Sequence, residues 1–159
     1  MALVEGGVPV GVAGVIEFGQ IRTLRRRSIV TTAQILALFA TPIEIVPAPG
    51  AGRCLIFEGA LLQKPAGVAY AGIAAGEDLA IKYTDASGLE VAQIETTGFL
   101  DSTSELIRWA RAQTAASGAS QIVPVANAAL VLHLLVAEII TGDTDLNIEV
   151  HYRDVDAAP

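Results

Sequence analysis

The chain is short of the residues from which small proteins build reactive sites. Its 159 residues include one cysteine, one tryptophan, one methionine and two histidines. A single thiol, Cys54, excludes a disulfide framework and a cysteine-rich zinc site. It stands between Arg53 and Leu55 at the head of an apolar run and reads as a small buried hydrophobe, not a nucleophile. The two histidines, His133 and His151, lack the H-x-H and H-E-x-x-H spacings of metal sites. Glu138 and Glu149 are only loosely placed to complete a ligand set, so neither metal nor cofactor is expected.

Long hydrophobic runs are scarce too. The longest, Ala128 to Ile140, is interrupted by His133 and Glu138 and falls short of the ~20 residues that span a bilayer. No membrane partner is expected. Glycines and Pro9 break up the first residues, which have no basic start, so no secretory signal is expected either. Charged residues make up only 17% and the net charge is −7. Residues 1–27 carry Arg22, Arg25, Arg26 and Arg27 against Glu5 and Glu17, a net +2 that leaves −9 for the rest. An acidic body argues against nucleic acid as a direct partner, because that partner calls for an extended positive face.

What is plentiful is apolar side chain, at 52% of residues. A chain of this length forms one domain with one core. The apolar surplus beyond that core suggests subunits packed on each other, since obligate interfaces resemble a core cut in half. A homo-oligomer is therefore expected.

Residues 1–30 read as an extended arm and 31–159 as the folded domain. "TTAQILALFATP" suggests one short helical turn or the start of a strand, ended by Pro42. "PIEIV" and "RCLIFEGALLQ" have strand length and composition. In "DLAIKYTD" and "LNIEVHYR" apolar and polar residues alternate, the signature of half-buried antiparallel strands. "LEVAQIETTGFL" and "ALVLHLLVAEII" add two more apolar strand candidates. Ser102 with Glu105 forms a capping box ahead of "LIRWARAQ", which predicts one short helix there. About seven or eight strands without alternating helices predict an all-β antiparallel sandwich, with jelly-roll topology as the choice.

Among candidate sites, "PAPGAGR" (Pro47 to Arg53) has the glycines of a phosphate loop but not its order. Arg53 is followed by Cys54 and an apolar strand instead of Ser or Thr and a helix, and Leu55 stands where a dinucleotide fingerprint needs glycine. It reads as a loop of hairpin size. His133 and His151 fall on two strands joined by "TGDTD", where they could face each other. Asp143 and Asp145 in that loop lack the order of a calcium site, and Glu77 with Asp78 reads as a solvated turn. No G-x-S-x-G elbow or nucleophile and base pairing appears, so no enzymatic activity is expected. The arginine cluster Arg22, Arg25, Arg26 and Arg27 is the most specific charge feature. It offers bidentate contacts to carboxylates and is the predicted partner-binding element.

The phrases "TPIEIVPAPGAGRCLIFEGALL", "EDLAIKY", "ETTGFLD" and "NAALVLHLLVAEIITGDTDLNIEVHYRDVD" together resemble the head decoration, or cement, proteins of tailed bacteriophages. The resemblance runs from about Thr31 to Asp156. It implies a compact β-sandwich, a homotrimer on the outer capsid surface of the virion, the major capsid protein as partner, assembly in the bacterial cytoplasm, and no catalysis. In the family the closing strand is more basic, whereas Asn147, Glu149 and Asp154 make it acidic here. An alternative is a carbohydrate-binding or adhesive jelly-roll module on the virion. Aromatics are only 5% of the chain, so Trp109 and Tyr70 would have to lead such a site.

Overall fold

Alternation decides the architecture. In the last strand Leu146, Ile148 and Val150 are buried, while Asn147, Glu149 and His151 between them face outward. Burying one face of such a strand requires a second sheet. A computed structural model describes residues 22–113 and 122–157. Its elements are β1 (Leu24–Val30), α1 (Thr32–Leu36), β2 (Ile43–Val46), β3 (Arg53–Lys64), β4 (Asp78–Tyr83), β5 (Glu90–Glu95), β6 (Leu106–Arg111), β7 (Leu130–Leu134) and β8 (Leu146–Asp156). They form two four-stranded antiparallel sheets, β1-β8-β3-β6 and β2-β7-β4-β5, so the chain is an all-β sandwich.

The core between the sheets is aliphatic, with Leu55, Leu62, Ile148 and Val150 from one side and Leu79, Ile81, Leu130 and Leu132 from the other. Tyr83 reaches across it, donating its hydroxyl to the Leu55 carbonyl. Phe99 and Leu100, completely buried, plug one end from a turn after β5. Strand β7 is buried along its whole length. Its inner face meets the core, and the connection from α1 to β2 covers part of its outer face through Phe39, whose ring stacks on His133 with centroids 5.9 Å apart.

Four expectations change. The helix foreseen after Ser102 is strand β6, paired with β3 from Gly59↔Arg111 to Lys64↔Leu106. Glu105, instead of closing a capping box, accepts a hydrogen bond from the Gln63 side chain at 2.6 Å. Backbone pairing at a sheet edge outweighs a local signal, because an isolated helix of that length is marginal. The arm gives up its last residues. β1 pairs with β8 from Leu24↔Tyr152 to Val30↔Leu146, and Val30 is fully buried, so the sandwich starts at Leu24. The rest of the arm, residues 1–21, lies outside the described residues, as does all of "TAASGAS".

The "PAPGAGR" loop is not a hairpin, since β2 and β3 belong to opposite sheets. Gly50 and Gly52 take φ of 104° and 76° as the chain crosses over, and Asn127 steadies the loop by accepting from the Gly50 N–H at 3.0 Å. "TGDTD" likewise passes between sheets, which puts His133 and His151 on opposite sheets and ends the expectation that they face one another. The short helix is α1, where Thr31 and Gln34 make a reciprocal capping box.

Candidate functional surface

The β1-β8-β3-β6 sheet turns one face to the core and the other outward. Register defines what the outer face presents. Ile29 lies opposite Asn147, Arg27 opposite Glu149 and Arg25 opposite His151. Across β8, Gln63, Leu61 and Gly59 pair with the same three residues. Beyond β3 come Ile107, Trp109 and Arg111. The result is an apolar belt of Ile29, Leu61, Ile107 and Trp109, all exposed, beside the exposed guanidinium groups of Arg25, Arg27 and Arg111. A groove of about 520 Å³ runs along its β1 side, lined by Arg27, Ile29, Leu61, Gln63, Asn147 and Glu149 among others.

Glu149 is the electrostatic centre of this face. Arg27 donates from Nε at 2.5 Å, Arg25 lies at 3.7 Å, and His151 donates from Nε2 at 2.9 Å. The Arg27 hydrogen bond, aided by those from its neighbours, holds the Glu149 carboxyl below the usual carboxylate range. Farther along, Arg153 pairs with Glu58, and Thr23 donates to the other Glu58 oxygen at 2.7 Å. These contacts lower the Glu58 pKa as well, the Thr23 hydrogen bond most of all.

Trp109 owes its position to Gly59. The indole lies over β3 where any side chain on Gly59 would stand 2.5 Å from its Cζ2, and its ring meets His151 edge-on with centroids 5.1 Å apart. Neither this trio nor the Glu149 cluster is visible from spacing in the sequence. Recognising β6 as a strand would have put Ile107, Trp109 and Arg111 on one face.

Among the expected binding residues, Arg25 and Arg27 join this outer face, Arg26 alternates to the other side opposite Val150 yet remains exposed, and Arg22 is exposed just before β1. Tyr70 leaves the sugar-binding reading. It is 2% exposed and donates its hydroxyl to the Thr144 carbonyl, so Trp109 stands without it. Cys54 is buried, as its apolar setting suggested.

The remaining candidates are spent on structure. His133 donates from Nε2 to the Phe39 carbonyl at 3.0 Å, and burial lowers its pKa. Glu138 accepts the Ala40 N–H at 3.0 Å, so both hold the α1–β2 connection in place. Glu77 is not solvated: it is 2% exposed and accepts the backbone N–H groups of Leu135, Val136 and Ala137 at 2.7 to 3.0 Å. Asp143 accepts from Val68 N–H and Asp145 from Thr32 N–H. Among the described residues no three His, Cys, Asp or Glu side chains converge as a metal site, and no helix is long and apolar enough to cross a membrane.

No protein-family model, curated protein or solved structure matches this chain.

Proposed function

We propose that this protein is a virion structural subunit that decorates a tailed-phage head, assembling as a homotrimer on the outer capsid surface and gripping the major capsid protein. The observation that carries the reading is β1, an edge strand on which Arg25, Arg26 and Arg27 stand exposed, with Arg22 exposed just before it. An edge strand offers unpaired backbone groups, and guanidinium forks match carboxylates in two-point contacts. Three such contacts held in one trimer reinforce each other through effective concentration, even where each is weak. The resemblance of its strand phrases to decoration proteins and the apolar outer face both favour a surface built for assembly.

We also infer a jelly roll. Strand partners nest as β1 with β8, β2 with β7, β3 with β6 and β4 with β5, the pattern of one long hairpin rolled into two sheets. In this reading the protein acts without a cofactor or a catalytic step.

Co-sedimentation with undecorated heads tests the function. The protein is expected to pellet with the heads, and its failure to do so at low salt overturns the reading. Replacing Arg25, Arg26 and Arg27 with alanine is expected to weaken binding and flatten its salt dependence.

A further inference from the structure

Strand β7 is buried on both faces, yet only one of them meets the core. Leu130, Leu132 and Leu134 point into the sandwich, while Val131 and His133 lie on the far side of the sheet, next to Ala80 of β4, which pairs with His133. The α1–β2 connection covers part of that side. Its residues 37–42, "ALFATP", include no charged side chain. Two side chains hold it by its backbone: His133 donates from Nε2 to the Phe39 carbonyl at 3.0 Å, and Glu138 accepts the Ala40 N–H at 3.0 Å. The Phe39 ring adds its stack on the imidazole.

This arrangement suits only a neutral imidazole. His133 is 5% exposed, and its Nδ1 is buried with no hydrogen-bond partner among the described residues, as is Glu138 Oε2. A second proton would make Nδ1 a buried donor with nothing to accept it. Burial accordingly lowers the pKa of His133, against the hydrogen bond to Phe39, which raises it. The charged groups on this side are mostly acidic. Asp78 and Lys82 flank Ala80 on β4, Glu44 shares the face on β2, and Glu77 and Glu138 come from the loops before β4 and after β7. Four carboxylates against one ammonium favour an imidazolium as soon as the ring reaches water. The covered arrangement thus selects the neutral ring and the open one the charged ring.

We propose that His133 is an acid-operated latch: when it takes up a second proton its ring leaves the site, the Phe39 carbonyl and ring are let go, and the α1–β2 connection swings away from β7, uncovering Val131 and Ala80. One proton then biases two arrangements of a short segment while the rest of the sandwich keeps its form. The closed form is complete above the ordinary histidine value, about 6.5, and is lost as pH falls through the lower value of the buried ring. The latch does not depend on binding to a capsid.

Hydrogen exchange at the Ala40 and Thr41 amides, which donate to Glu138 and to the Ala37 carbonyl, reads the latch in the full chain. Their protection factors, corrected for intrinsic exchange, are expected to fall by roughly three- to tenfold between pH 7.5 and 5.5, a window in which ordinary carboxylates stay ionised. This opening is expected to be unaffected by low urea, whereas amides of the β4–β7 ladder exchange through a urea-sensitive one. His133→Gln keeps an amide donor for Phe39 but takes up no proton, and is expected to abolish the pH step. His151→Gln, which changes the other histidine, is expected to retain it. If His133→Gln does not fold, the ring resonances of His133 in the unaltered chain take its place, with a titration expected to coincide with the loss of Ala40 protection. Protection that holds steady or rises with acid overturns the proposal. So does a step that survives in His133→Gln, a ring titration that leaves Ala40 unchanged, or an Ala40 opening as urea-sensitive as that of the ladder.

Discussion

Trp109 and His151 meet edge-to-face across an intervening strand, their ring centroids 5.1 Å apart, because β3 has no side chain at Gly59 to keep them apart. The outer face of the sheet is thus organised by a missing Cβ. Gly59→Ala places a methyl group 2.5 Å from the indole, which must shift. Because Trp109 is half exposed and its ring can swing outward, the substitution is expected to cost little stability, about 0.5 kcal/mol or less. It is also expected to change Trp109 emission, and fluorescence with a denaturant titration reads both.

Glu149 predicts an acid limb. Its folded pKa is depressed by Arg27 first, so its contribution to stability is present above the pKa of an unfolded glutamate and is lost as pH falls through the lower, folded value. Glu58 acts in the same direction. Stability followed by urea unfolding is expected to decline below about pH 4.3. Glu149→Gln is expected to make that decline shallower, and an unaltered acid limb would contradict the cluster's electrostatic role.

The two buried tyrosines predict an alkaline limb. Burial pushes Tyr83 up to about 12 and raises Tyr70 as well. A raised folded pKa gives stability that is complete below the unfolded value, about 10, and is lost as pH rises through the folded one. Phenolate absorbance is expected to show these tyrosines ionising late, close to alkaline unfolding. Tyr83→Phe strands the Leu55 carbonyl in the core and is expected to cost about 1–3 kcal/mol by thermal or urea unfolding.

Lys64 predicts a stabilising substitution. It is completely buried, its ammonium donates to the Pro65 carbonyl at 3.1 Å, and burial lowers its pKa. A buried charge with so little compensation opposes folding. Lys64→Met, similar in length and without the charge, is expected to raise stability by about 1 kcal/mol or more, visible as a higher unfolding midpoint. A lower midpoint would mean that the ammonium contributes more than its desolvation costs.

The sandwich was legible wherever one face of a strand is buried and the other wet. β8 alternates from Leu146 to Val150, β4 departs from alternation at the buried Ala80, and both strands stand where the sequence pattern put them. β6 was hidden by a capping box, a local motif overridden by pairing with β3, which lies more than forty residues earlier in the chain. β1 was hidden by three successive arginines. "LRRRSIV" shows little amphipathic period, and only its register with β8 reveals which side each residue faces. The arginine cluster was legible as charge, but Glu149, which gathers two of its members, was not. Nor was the Gly59, Trp109 and His151 arrangement, whose members come from three different strands. Pairings of this range carry no trace in local spacing.

The partnership of β1 with β8 governs when this sandwich can be completed during synthesis. Leu24 waits for Tyr152 and Val30 for Leu146, so the β1-β8-β3-β6 sheet lacks one of its two central strands until nearly all of the described chain has left the ribosome. Contacts separated by more than a hundred residues close slowly. Until they do, the nascent polypeptide keeps β3 and β1 unbridged, with their aliphatic sides open to chaperones or to premature association with other copies.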